Sequence, residues 1–241
     1  MSSIQAVLFD LGGTLFDYKV VATSDLESHM ELLHRAGIEA DPADVKRAYK
    51  DTMRQVFKKY LQRPFYLYHD LFQDALKGMF ESLGGQFRSE DYDHYRNVLM
   101  ERYTQNLSLR GGVIETLSEL KNRGLHLGLV SNIDNDQLGY LMEITKIGPY
   151  FDSLLSSEGA RSCKPDSGIF HEALRRADCK PHQALFIGDT IAQDIAGANR
   201  VGLRSVLIWH RDDRDPPENS PRPHHTIRHI PEIIEVVDSY N

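Results

Sequence analysis

Cysteine is nearly absent: Cys163 and Cys179 are the only two in 241 residues. Their separation matches neither a zinc knuckle nor a C-x-x-C redox pair, so a disulfide scaffold or a structural zinc does not organise this chain. Both read as small buried residues. Long apolar runs are also missing, since no stretch approaches the roughly 20 residues that span a bilayer. No Lys/Arg-rich run occurs and the formal net charge is −7, which speaks against a nucleic-acid or anionic-membrane surface. The first residues carry no basic segment ahead of an apolar one, so no secretory signal is expected, and reduced thiols point to the cytoplasm. Internal repeats and low-complexity tracts are lacking.

What the sequence does contain falls into two textures. Residues 17–109 hold few glycines, many charges and apolar residues at helical spacing. Leu26, Met30, Leu33 and Ile38 predict a first helix, ended near Gly37. Val45, Tyr49, Met53, Val56, Phe57 and Tyr60 predict a second, stopped by Pro64. Leu67 to Phe80 predicts a third, closed by Gly84-Gly85, and Tyr92 to Tyr103 a fourth. From Gly111 onward strand and helix alternate. Strands are expected at 125–130, 151–155, 184–187 and 205–209, with helices at 113–122, 134–144, 166–176, 191–200 and 231–237. Such alternation makes an α/β fold with a parallel sheet covered on both faces. Residues 210–225, rich in Asp, Arg, Pro and His, are expected to be an irregular loop. The His224-His225 to His229 segment reads as surface loop rather than metal tract.

Polar residues recur where strands end. The opening run Ala6-Val7-Leu8-Phe9 reads as a buried strand that stops at Asp10, followed by Leu11-Gly12-Gly13-Thr14. A carboxylate at the C-terminal end of a parallel strand lies in the crevice where α/β proteins bind ligands. By itself Asp10 is either a strand-end turn former or a nucleophile. Ser131-Asn132 end another strand, Gly188-Asp189 a later one, and Lys164 precedes a helix. The carboxylates Asp10, Asp189 and Asp194 suit Mg²⁺, a hard cation that takes oxygen ligands. A Ser hydroxyl and a Lys ammonium suit the oxygens of a phosphoryl group in transfer, and Asp10 can then carry that group as an aspartyl-phosphate.

Phe9-Asp10-Leu11-Gly12-Gly13-Thr14-Leu15, Val130-Ser131-Asn132, Lys164-Pro165 with Ile169-Phe170, and Gly188-Asp189-Thr190-Ile191-Ala192-Gln193-Asp194 resemble, in order, the four motifs of the haloacid dehalogenase-like hydrolase superfamily. The resemblance covers residues 4–16 and about 110–238. It implies a Rossmann-like three-layer core (1–16 and 110–241) with a smaller all-helical cap (17–109) inserted between the first two motifs, similar to the phosphoglycolate phosphatase, phosphonatase and dehalogenase subclass. It implies Asp10 as nucleophile, and Thr14, Ser131 and Asn132 around the phosphoryl group. Lys164 would stabilise negative charge. Mg²⁺ would be held by Asp10, the Gly12 backbone carbonyl, Asp189 and Asp194, and the substrate would be a small phosphorylated metabolite. Asp17-Tyr18 and Leu109-Arg110-Gly111-Gly112 are the expected hinges.

One position departs from the family pattern. Its phosphatases carry a second Asp two residues after the nucleophile, which protonates the leaving group and later activates water. Here that position is Gly12. General acid–base catalysis is worth about 10²–10⁴-fold, so a substitute is expected from the cap (His29, His34, Tyr60 or His69), from a good leaving group or from water. The gap leaves open a phosphonatase using a cap lysine (Lys19, Lys46, Lys50, Lys58 or Lys59), a dehalogenase, or a binding protein that keeps the fold. The full Gly188-Asp189…Asp194 motif stands against a metal-free dehalogenase, where an anionic pocket is costly.

Overall fold

The computed structural model describes residues 3–210 and 218–241, without the side chains of residues 18–24. The chain divides into two compact units, one of residues 1–17 and 108–241 and one of Tyr18–Leu107.

The first unit is built on one sheet of six parallel strands among the described residues, in the order β3-β2-β1-β4-β5-β6. These are β1 (Ala6–Phe9), β2 (His126–Ser131), β3 (Ser153–Ser156), β4 (Ala184–Gly188), β5 (Arg204–Ile208) and β6 (His225–Ile227). Every residue of β1 and β4 is buried, as central strands of a sheet covered on both faces must be. The strand order reverses between β1 and β4, and a doubly wound sheet opens its binding crevice at such a switch point. The Rossmann-like α/β core expected from the sequence is therefore present.

Helices in this unit begin and end as their sequences dictate. Asp166 caps the helix Ser167–Ala177 by accepting from the Gly168 N–H at 3.0 Å. The helix Val113–Asn122 gives way at Gly124, which lies in the left-handed region at φ +75°. The face of Ser167–Ala177 that carries Ile169, Phe170 and Ala173 packs with Leu8, Val130 and Phe186 of the sheet.

Two expectations are corrected. His225–Ile227, read from composition as loop, forms β6 against β5, because a Thr and an Ile supply enough strand character once Val206 to Ile208 offer an unpaired edge. A short helix, Ser157–Ala160, follows β3 where only loop was expected, capped by the Ser156 hydroxyl accepting from Gly159 N–H at 2.8 Å. The rest of the expected 210–225 loop includes residues 211–217, which lie outside the described residues.

The second unit holds four helices: α1 (Tyr18–Arg35), α2 (Pro42–Tyr60), α3 (Tyr68–Ser82) and α4 (Ser89–Asn106). All four were legible from apolar spacing. Helices α1 and α4 pack together, as do α2 and α3. Asp41 caps α2, with Pro42 at its first position. Arg102 of α4 ties down α1 by donating to Glu27 at 2.6 Å and Glu31 at 2.8 Å. No helix among the described residues is long and apolar enough to cross a membrane.

Candidate active site

Asp10 stands directly after β1, its N–H donating to the Ile187 carbonyl of β4 at 2.9 Å. Its side chain therefore lies at the switch point. The chain then turns back within six residues. Gly13 takes φ +83°, a conformation costly for any side-chain-bearing residue. Leu15 N–H donates to Leu11 O at 2.8 Å and Gly13 N–H to Phe16 O at 2.9 Å. The tight return aims the Thr14 hydroxyl at Asp10, donating to Oδ2 at 3.1 Å.

The second arm comes from β4. After Gly188 the chain passes Asp189 and Thr190 into a wide helical turn, Ile191–Ile195, and this turn brings Asp194 back beneath the strand end. Gly188 is required there, since a Cβ on it would overlap the Asp194 side chain. Thr190 organises both acids: its N–H donates to Asp194 Oδ2 at 2.9 Å and its hydroxyl to Asp189 Oδ1 at 3.1 Å.

Lys164 joins the arms. It is 2% exposed, with Asp10 at 6% and Asp194 at 1%. Its Nζ lies 2.6 Å from Asp10 Oδ1 and 2.7 Å from Asp194 Oδ1, and donates to the Val130 carbonyl of β2 at 3.1 Å. Asn132 fixes the lysine's backbone from both sides: Oδ1 accepts from Lys164 N–H at 2.7 Å and Nδ2 donates to Lys164 O at 2.9 Å. The same amide reaches Gln193 Oε1 at 3.2 Å. Asn132 thus stands behind the lysine with both ends of its amide engaged. Ser131 sits at the buried end of β2, its hydroxyl without a protein hydrogen bond among the described residues.

The electrostatics follow from three carboxylates crowded around one ammonium. Burial pushes Asp189 up to about 7, helped by the charges of Asp10 and Asp194. Burial likewise pushes Asp194 up to about 6, with Lys164 pulling the other way. Lys164 is held above its ordinary value, because burial, which lowers it, is outweighed by Asp10 and Asp194.

The residues present fit a divalent cation. Asp10, Asp189 and Asp194 each offer an oxygen, all within 4.8 Å of one another. Asp194 Oδ1 lies 2.7 Å from the Lys164 ammonium, and its other oxygen accepts from the Thr190 N–H at 2.9 Å. Three carboxylates around one ammonium leave excess negative charge, which a hard cation taking oxygen ligands would offset.

Three participants are not marked by sequence pattern. Thr190 sits inside the Gly188-to-Asp194 motif, but its double role needs the wide helical turn. Arg110 and His210 both meet the turn after Asp10: Arg110 Nη2 donates to Gly13 O at 3.0 Å, and His210 Nε2 lies 3.2 Å from the same oxygen. Position just past the end of β5 is the one signal in the sequence available for His210.

The candidates in the second unit have the following surroundings within it. His29 is not on a solvated helix face; it is buried between the rings of Tyr49 and Tyr95, at centroid distances of 4.1 and 5.3 Å. Tyr60 donates to Asp74 at 2.9 Å, and burial with the Asp74 charge pushes its hydroxyl up to about 12. His34 is exposed, 3.5 Å from Glu39, and the His69 ring lies 4.5 Å from that of Tyr92. Lys46, Lys50, Lys58 and Lys59 are exposed, and the Lys19 side chain lies outside the described residues.

Fold and site together define a parallel α/β protein that presents a lysine-bridged acid cluster at its switch point. The model of the haloacid dehalogenase-like hydrolases matches residues 4–202, and the chain belongs to that hydrolase family. Among curated relatives, the ribulose-1,5-bisphosphate 5-phosphatase of Halopiger xanaduensis is 29% identical over 90% of each chain. The glyceraldehyde 3-phosphate phosphatase of Methanothermobacter thermautotrophicus is 26% identical over 85% of each chain. Among solved structures, the HAD-hydrolase YfnB of Bacillus subtilis superposes with a TM-score of 0.80 at 19% identity, covering 98% of this chain and 100% of that one. The L-2-haloacid dehalogenase of Xanthobacter autotrophicus does so at 0.77 and 17% identity, covering 99% and 100%.

Proposed function

We propose that this hydrolase is a magnesium-dependent phosphatase of a small phosphorylated metabolite, working through an aspartyl-phosphate on Asp10. The observation that carries the reading is the buried Asp10–Lys164–Asp194 contact set beside Asp189, with distances of 2.6 and 2.7 Å about the lysine. The two full-length relatives named as phosphatases, and the pyrophosphatase PpaX of Bacillus velezensis at 27% identity over 86% of this chain, support the same chemistry.

In this reading a carboxylate oxygen of Asp10 attacks phosphorus, a new P–O bond forms, and the bond to the leaving oxygen breaks. Lys164 holds Asp10 in place, and its charge offsets the build-up on the phosphoryl oxygens. Thr14 holds the other oxygen of Asp10. A divalent cation held by Asp10, Asp189, Asp194 and the Gly12 carbonyl supplies, when bound, the positive charge that lets an anion approach an anion. Ser131 and the N–H groups of the turn bind the phosphoryl oxygens. The leaving oxygen takes its proton from solvent, because Gly12 has no acid to give. Water then attacks phosphorus, releasing inorganic phosphate and regenerating Asp10. Substrates with good leaving groups suit this arrangement best.

The exposed cap lysines give no support to the phosphonatase reading, since a Schiff-base lysine needs a desolvated amine. The test is turnover of an aryl phosphate with and without Mg²⁺ in the wild type, Asp10→Asn and Gly12→Asp. The expectation is Mg²⁺-dependent turnover that is lost in Asp10→Asn and raised by Gly12→Asp on poor leaving groups. Turnover retained by Asp10→Asn, or absent from the wild type, refutes the reading.

A further inference from the structure

The turn that follows Asp10 has an unusual problem. Its two central residues, Gly12 and Gly13, have no side chains to pack, and glycine loses more backbone freedom on ordering than any other residue. Backbone bonds close the loop at its ends, Leu15 to Leu11 and Gly13 to Phe16. The Gly13 carbonyl meets two side chains: Arg110 Nη2 at 3.0 Å and His210 Nε2 at 3.2 Å. A carbonyl only accepts, so His210 carries its proton on Nε2 toward it.

Arg110 is fastened at several points. Its N–H donates to Leu15 O at 2.8 Å, and its Nη1 lies 3.5 Å from Asp17 Oδ2. The neighbouring Leu109 bridges antiparallel to Phe16. The guanidinium is only 19% exposed, and its Nε is buried with no hydrogen-bond partner. The side chain is thus held in one place while Nη2 donates to a carbonyl in a two-glycine turn. The charges of Asp17 and Asp189 both act on this guanidinium.

We infer that Arg110 is a positioning residue for the cation site: by clamping the Gly13 carbonyl, with His210 as second donor, it orders the turn that presents the Gly12 carbonyl and Asp10 to the metal. The inference rests on the magnesium reading of the site. It makes a prediction opposite in sign to simple electrostatics. A positive charge near Asp189 repels a cation, so if charge were the whole effect, removing it would tighten Mg²⁺ binding. If the clamp dominates, removing it loosens binding. Outer-shell groups that orient metal ligands typically account for about 10–100-fold in affinity.

The experiment is titration of the full chain with Mg²⁺ alone, by calorimetry and by the Mg²⁺-induced shift in thermal midpoint, for wild type, Arg110→Gln, Arg110→Lys and His210→Ala. The expected result is Mg²⁺ affinity weakened about 10–100-fold in Arg110→Gln, with a smaller loss in His210→Ala. Affinity in Arg110→Gln equal to or tighter than wild type overturns the inference. Should that variant not fold, Arg110→Lys decides, since it keeps charge and stem but loses the fork: weaker binding upholds the clamp, unchanged binding overturns it. A wild type that binds no Mg²⁺ overturns the metal reading and this inference together, whereas intact wild-type binding with unaffected variants overturns the clamp alone.

Discussion

Replacing Lys164 with methionine tests the centre of the site without regard to substrate. The ammonium is buried, 2.6 Å from Asp10 and 2.7 Å from Asp194. At such separations each attraction is several kcal/mol even at an effective dielectric of about 20, and much of it is offset by removing the lysine from water. Methionine fills similar space but leaves Asp10 and Asp194 buried beside Asp189 with no cation. Removing one partner of a buried ion pair costs about 3–5 kcal/mol. At roughly 3 °C per kcal/mol for a chain of this size, the metal-free midpoint should fall by about 9–15 °C near pH 8. The pH dependence has a definite sign. Asp189 and Asp194 are already pushed up to about 7 and 6. A carboxyl whose folded-state value is raised favours folding below its unfolded value, near 4, and that contribution is lost as pH rises through the folded value. Without the lysine both acids rise further, so the deficit of the variant should be largest at pH 8 and shrink toward pH 5. Saturating Mg²⁺ should narrow it as well. Urea or thermal unfolding followed by circular dichroism, with chelator or Mg²⁺, reads all of this. A metal-free Lys164→Met as stable as wild type at pH 8 refutes the reasoning.

Three further outcomes are expected. Gly188→Ala places a Cβ against the Asp194 side chain; it should cost about 1–3 kcal/mol in unfolding experiments and weaken Mg²⁺ binding measured by calorimetry. Asn132→Ala strips the Lys164 N–H and carbonyl of their partners; a loss of about 1–3 kcal/mol should accompany a drop in kcat with little change in KM. His29 is buried, and burial pushes it down to about 3. Its neutral form favours folding above about 6.5, and that contribution fades as pH falls, by about 1.4 kcal/mol per unit. His29→Phe should therefore lose less stability than wild type between pH 7 and pH 5, and an identical acid-side slope in the two proteins would count against the burial argument.

Much of the fold is written in local pattern. The helices of the second unit follow from apolar residues three and four apart, and the strands β1 and β4 from short apolar runs stopped by a carboxylate or Gly-Asp. These are one-dimensional signals, because a helix face and a buried strand depend on near neighbours in the chain. The order of the four motifs likewise placed Asp10, Lys164, Asp189 and Asp194 in one family, and the structure brings them into one cluster. Only the tertiary structure decided the rest. The segment at His225 becomes a strand because β5 offers it an edge, which no property of that segment reveals. Asn132 engages the Lys164 backbone across 32 residues of chain, and His29, polar and helical by pattern, is sealed between tyrosines from two other helices. Arg110 and His210 reach the Gly13 carbonyl from 97 and 197 residues away. Long-range partners of this kind depend on which strand lies beside which, and the closing of the sheet around β1 sets that.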